Sequence, residues 1–137
     1  MQSDCRQSQE TKPMTRYYGP HLILDLNNCK SAALNSLEAC FAFLNDLPEK
    51  IGMSKITQPY IFRYSGEIPE DNGITGVVII AESHISIHTY PQKRFVFMDI
   101  FSCKPFNTEM ATEYAIDFFE AETFVVNTVN RGEQFPA

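Results

Sequence analysis

The amino-acid sequence predicts an α+β protein, a two-layer sandwich whose mainly antiparallel sheet carries two helices on one face. Three observations lead there. Short runs of alternating or continuous branched residues recur along the chain, only two stretches show helical spacing, and the order is strand, helix, several strands, helix, strand. A length of 137 residues with 44% hydrophobic content suits a single domain, expected over residues 17–137. At this size roughly two-thirds of the surface of the unfolded chain can be buried, so a core forms without disulfide staples.

Residues 1–16 hold almost no periodic apolar pattern, include Pro13 and read as a flexible tail. HLILDL at 21–26 alternates and is rich in branched residues, so it is a strand, and Asn27 and Asn28 supply turn chemistry after it. From Ser31, Leu34, Leu37, Ala39, Phe41 and Leu44 recur at helical spacing up to Leu47, and Pro48 is expected to close that helix. KITQPYIFRY at 55–64 is a second strand, demoted by Pro59 to an edge or bulged position, and SGEIPEDNG is the main loop. ITGVVIIA at 74–81 has the unbroken apolar character of a strand buried on both faces. Only Glu82 and Ser83 separate it from HISIHTY at 84–90, which alternates strictly. FVFMDIF at 95–101 is a further strand, NTEMATEYAIDFFE at 107–120 a second helix with an Asn/Thr start, and TFVVNTV at 123–129 the last strand. Phe62, Tyr64, Phe95, Phe97 and Phe101 are too many aromatics for solvent on the sheet face away from the helices. A long loop or a second copy must cover them, and a homodimer is the favoured reading.

A net charge of −6 with dispersed basic residues excludes nucleic acid as a partner. No run approaches the ~18 apolar residues of a membrane span, and the N-terminus lacks the apolar stretch of an export signal. Cys5, Cys29, Cys40 and Cys103 are scattered, with no C-x-x-C pair, which suits a reducing, cytoplasmic compartment.

Three chemistries are tested against the residues. His84 and His88 are four apart, but on a strand that is ~13 Å, too far for one ion. His21 would have to fold back to complete a site, no carboxylate or Cys stands at ligand spacing, and no metal is expected. Ser83 lies beside histidines, yet a G-x-S-x-G elbow is absent, which removes a serine hydrolase. Gly73 and Gly76 form no phosphate-cradling loop, which removes nucleotide hydrolysis.

GVVIIAESHISIHTYP at 76–91, followed by FVFMDIFSC at 95–103, resembles the signature of the pyruvoyl-dependent S-adenosylmethionine decarboxylase family, prokaryotic type. The matching elements are an ESH-x-x-x-H-T/S-aromatic-P block and a downstream D-aromatic/Ile-x-x-C. The resemblance extends more weakly to GPHLILDL and to the C-terminal helix, and so covers residues 17 to about 131.

The resemblance implies a proenzyme that cuts itself between Glu82 and Ser83 into chains 1–82 and 83–137. The Ser83 hydroxyl would attack the Glu82 carbonyl to give an ester, and elimination and hydrolysis would leave a pyruvoyl group at residue 83, a covalent cofactor that forms a Schiff base with substrate. His88 is implied in proton transfer during processing, and Thr75 stands where the family usually has a supporting Ser. Cys103 matches the family's proton donor, whereas Cys29 and Cys40 read as small buried hydrophobes. For Ser83 alone an ordinary turn serine would be the default, which the whole block overturns. His84 and Ser86 read as mainly structural.

One position departs from the pattern. Family members continue T-aromatic-P-E, with the Glu on the substrate's ribose hydroxyls, and here the residue is Gln92, which loses the charge-assisted bond. The first reading is therefore decarboxylation of S-adenosylmethionine for spermidine synthesis, with Tyr17, Phe62 or Phe95 stacking on adenine. The alternatives are an arginine or ornithine decarboxylase, using Glu67, Glu70, Asp71 or Asp25 to hold a basic side chain, and an unprocessed regulatory homologue.

Overall fold

The computed structural model describes residues 17–136. The tail expected at 1–16 lies outside the described residues. Six strands form one sheet: β1 (Gly19–Asn27), β2 (Tyr60–Tyr64), β3 (Gly73–Ile80), β4 (Ser83–Tyr90), β5 (Phe95–Ser102) and β6 (Thr123–Arg131). Their order across the sheet is β2-β3-β4-β5-β1-β6, and all five ladders are antiparallel. Two helices, α1 (Leu37–Lys50) and α2 (Thr108–Phe119), cover one face, and the fold is the predicted α+β sandwich.

Local chemistry sets the helix bounds. The Ser36 hydroxyl accepts the Ala39 N–H at 3.0 Å and starts α1, and the Asn107 side chain accepts the Met110 N–H at 3.0 Å and starts α2. The segment expected as one helix from Ser31 is divided, because Ser31 caps a separate 3-10 turn at Ala32–Asn35 before α1 begins. Pro48 does not close α1 but lies inside it, two residues from the end. Having no N–H, it cannot bond the Leu44 carbonyl four residues back, and the helix ends at Lys50 soon after.

Strand parity builds the core. Leu22, Leu24 and Leu26 of β1, Ile85 and Ile87 of β4, and Val96, Met98 and Ile100 of β5 all face the helices and are buried. Phe43 of α1 is fully buried, with ring centroids 5.4 Å from Tyr114, 5.1 Å from Phe118 and 5.0 Å from Phe119 of α2. Strand β3 differs from expectation: its burial alternates instead of being complete on both sides, because among the described residues the face away from the helices has no second layer. Phe62, Tyr64 and Phe97 on that open face are about half exposed. Strand β2 holds the predicted edge position but starts only at Tyr60, after Pro59.

At the lower end of the sheet the Thr89 hydroxyl donates to the Leu34 carbonyl at 2.7 Å and accepts the Ile74 N–H at 3.0 Å. That buried bond ties β3, β4 and the 3-10 turn together. Phe43→Ala is expected to cost about 3–5 kcal/mol, read as a lowered midpoint in urea unfolding, since three rings of α2 lose their common partner.

Candidate active site

The β3–β4 connection is as short as the sequence requires. Ile80 pairs with Ser83, so only Ala81 and Glu82 span the turn. The Ala81 N–H donates to the Ser54 carbonyl at 3.0 Å and Lys55 bridges Ile80, which pins the turn from outside. Ser83 has a φ of +138°, a region that side-chain-bearing residues rarely adopt. Such a residue costs about 1–3 kcal/mol and persists only where its surroundings enforce it, and outliers of this kind cluster at functional sites. Here the enforcing parts are the two ladders that begin at Ser83, to Ile80 and to Ser102.

Two more groups converge on the junction. Cys103, fully buried just past β5, places its Sγ 3.5 Å from the Glu82 N–H, which donates to it. Tyr18 donates its hydroxyl to Glu82 Oε1 at 2.9 Å, and its ring packs against Phe101 and Phe135. Glu82, Ser83 and Cys103, predicted together from the sequence, are together in space. Cys103 is disulfide-bonded in the structure, so the donor role expected of it belongs to its reduced thiol.

Thr75 and His88 lie elsewhere. Register aligns Phe62, Thr75, His88 and Phe97 in one row across β2, β3, β4 and β5. Thr75 Oγ1 is 3.2 Å from His88 Nδ1, a hydrogen bond between exposed side chains on the open face. Beside the row is a cavity of about 370 Å³ lined by Asp71, Tyr90, Lys93, Phe95 and Phe97. Asp71 is engaged there by Lys93 Nζ at 2.6 Å. Gln92 is exposed in the 3-10 turn Pro91–Lys93 that follows β4. Five steps along the strand separate Ser83 from His88, about 17 Å. One chain does not bring these two predicted partners into contact.

A third cluster was missed by the sequence reading. Asp99 of β5 receives His21 Nε2 at 2.7 Å and His84 Nε2 at 2.9 Å on Oδ2, and the Ser86 hydroxyl on Oδ1. Arg131 donates to His21 Nδ1 at 3.2 Å and stacks over Phe101 at 4.2 Å. The carboxylate sought beside the histidines is therefore present, 15 residues from His84 in sequence and 78 from His21. Their ligand atoms lie within 4.8 Å of one another, close enough to share an ion. The proton positions oppose it. A guanidinium only donates, so His21 Nδ1 accepts and its proton sits on Nε2, aimed at Asp99. A metal on Nε2 would displace that proton to Nδ1, facing Arg131. The arrangement is that of a hydrogen-bonded carboxylate.

Burial alone would raise the Asp99 carboxyl, but the hydrogen bonds from His84, Ser86 and His21 outweigh it and hold the group well below the usual carboxylate range. Burial pushes the Cys29 and Cys40 thiols up, to about 11 and about 12, in keeping with inert core cysteines.

Comparison with known proteins identifies the family. The family profile described as S-adenosylmethionine decarboxylase matches residues 20–132. The chain belongs to the S-adenosylmethionine decarboxylase family. It is 36% identical over 117 residues to the S-adenosylmethionine decarboxylase proenzyme of Thermodesulfovibrio yellowstonii, covering 83% of this chain and 81% of the relative. To the proenzyme of Methanococcus aeolicus it is 35% identical over 118 residues, 85% of this chain and 96% of the relative. The crystal structure of the adenosylmethionine decarboxylase from Aquifex aeolicus superposes with a TM-score of 0.74 at 25% identity, covering 86% of this chain and 93% of that one. Membership makes this chain a carboxy-lyase of that family and does not favour the arginine or ornithine alternative raised by Gln92. No helix among the described residues is long and apolar enough to cross a membrane.

The depressed Asp99 carboxyl has a pH signature. A group whose folded pKa lies below its unfolded value of about 3.9 stabilises the fold fully above that value and loses the contribution as pH falls towards the folded one. The stability difference between the native protein and Asp99→Asn is therefore expected to narrow as pH falls below about 4 in urea titrations.

Proposed function

We propose that the chain cuts itself at Glu82-Ser83 and, as the two-chain product, decarboxylates S-adenosylmethionine. The observation that carries this reading is the junction itself: a serine at φ +138° on a two-residue turn, with a buried Cys103 sulfur on the preceding N–H. The two ladders that begin at Ser83 hold it out of its relaxed geometry, so conversion of the Glu82-Ser83 peptide to an ester through the Ser83 hydroxyl relieves strain as it proceeds. Loss of the residue-83 α-proton then expels the Glu82 carboxylate, and uptake of water with loss of ammonia leaves a pyruvoyl group. The residues present fit that group, since it needs a serine at a strand start and nothing bound from solution. The pyruvoyl carbonyl supplies an electron sink for the pair released as carbon dioxide leaves.

The chain's own residues do the rest. Cys103, as a thiol, lies at the Glu82 N–H next to residue 83, where it can return a proton to the substrate. Tyr18 holds the Glu82 side chain aside. His88 and Thr75 are about 17 Å away on the open face, so they act on a Ser83 other than their own. A homodimer that packs the open faces together meets this need and covers Phe62, Tyr64 and Phe97. It adds the Phe62–Thr75–His88–Phe97 row and its aromatic cavity to the partner's junction, with Phe62, Phe95 and Phe97 as stacking surfaces for adenine and Gln92 beside them as an amide contact for ribose. Nothing in this chemistry calls for a compartment other than the cytoplasm.

Purified protein is expected to give two masses, residues 1–82 and a pyruvoyl-blocked 83–137, with a single uncut mass for Ser83→Ala. Carbon dioxide release from S-adenosylmethionine, with none from arginine or ornithine, checks the substrate, and an uncut wild-type chain overturns the reading. Cys103→Ala is expected to cut normally and to lose turnover by 100-fold or more, on the order of one general acid. Sharing of the site is read by co-expression: Ser83→Ala and His88→Ala chains, each uncut alone, are expected to give cut His88→Ala chains when mixed. Gln92→Glu is expected to lower KM for S-adenosylmethionine by about tenfold, the difference between a neutral and a charge-assisted hydrogen bond.

A further inference from the structure

The Asp99 cluster has no part in the steps above, yet it ends one residue from Ser83. Its geometry is specific. His84 and Ser86 are the first two open-face side chains of β4, and each takes one oxygen of the same carboxylate. Asp99 is held in turn by His21 of β1, whose far nitrogen accepts from Arg131 of β6. The cluster thus runs from the start of β4 across β5 and β1 to the sheet edge.

Before cleavage residue 83 has a covalent neighbour on each side. After cleavage it is a chain terminus, and termini fray unless tied down. Of the two ladders that flank β4, the one to β3 then loses the covalent turn that closed it, and the first side-chain anchors of the new chain are those to Asp99. Strand β5 also ends at Ser102, immediately before Cys103, so the strand that bears the anchor also places the sulfur.

We propose that Asp99 is a positioning residue of the cut enzyme: by clamping His84 and Ser86 it keeps residue 83, as the first residue of a new chain, paired with Ser102 and so next to Cys103. The proposal rests on cleavage at Glu82-Ser83 as set out above. It distinguishes a clamp for a chain end from a general brace of the sheet, because a brace matters equally whether or not the chain is cut.

Hydrogen exchange read by mass spectrometry over residues 84–88 makes that distinction. Four proteins are compared: the cut wild type, cut Asp99→Asn, uncut Ser83→Ala, and uncut Ser83→Ala with Asp99→Asn. The clamp predicts exchange at least tenfold faster on Asp99→Asn in the cut pair and less than twofold faster in the uncut pair. Ser86→Ala, which removes one arm and leaves the carboxylate and both histidines, is expected to move the cut form in the same direction by a smaller factor, and it serves where Asp99→Asn does not fold. Equal acceleration in cut and uncut pairs, or none in the cut pair, overturns the clamp while leaving the decarboxylase reading intact. A wild-type chain that is never cut overturns both.

Discussion

Strand parity is the constraint on which the rest of this molecule depends. In a β-strand, residues an even number apart share a face and residues an odd number apart do not. In β4 that rule sends Ile85 and Ile87 into the core with the helices, and His84, Ser86 and His88 to the open side. Ser83 is at the strand's first position, where the turn and not the pleat sets its direction. The strand therefore offers a strained junction at one end, a carboxylate-bound pair in the middle and a Thr-paired histidine at the other. A single copy cannot fold the last onto the first, which is the physical argument behind the shared site proposed above.

The same rule explains what was legible in the sequence. Alternation in HISIHTY and the tight Glu82-Ser83 spacing are local, so the strand and its turn could be read directly, whereas Ser83 and Cys103 were singled out only by the family resemblance of the ESH block and the segment after it. Strand β3 was misread as buried on both faces because Ile74, Val77, Val78, Ile79 and Ile80 are apolar on either parity, and only the absence of a second layer, a tertiary fact, separates them. Pro48 was read as a stop because proline usually is one, and the helix in fact ends two residues beyond it. The Asp99 cluster was invisible for another reason. Its partners come from β1, β4, β5 and β6, and nothing in the spacing of His21, His84 and Asp99 announces that β1 returns to pair with β5. The argument against a shared ion at His84 and His88 holds, but His84's companion is a histidine 63 positions upstream that no periodicity links to it.

Sheet order also accounts for how the fold would withstand the proposed cut between Glu82 and Ser83. The segment before Ser83 supplies β1, α1, β2 and β3, and the segment from Ser83 supplies β4, β5, α2 and β6. In the sheet these alternate: β2 and β3 of the first, β4 and β5 of the second, then β1 of the first and β6 of the second. Three ladders, β3 with β4, β5 with β1, and β1 with β6, therefore join one segment to the other. The helical layer is interleaved too, since Phe43 of the first segment is buried among the rings of α2 in the second. Separating the products would expose Leu22, Leu24, Leu26, Ile85, Ile87 and Ile100 together, at roughly 1.5–3 kcal/mol per buried side chain. Breaking that one peptide bond would therefore leave the association intact and alter only the few residues at the new ends. What would change is local freedom at residue 83, next to the point where the first side chains of β4 reach a carboxylate fixed from the opposite edge.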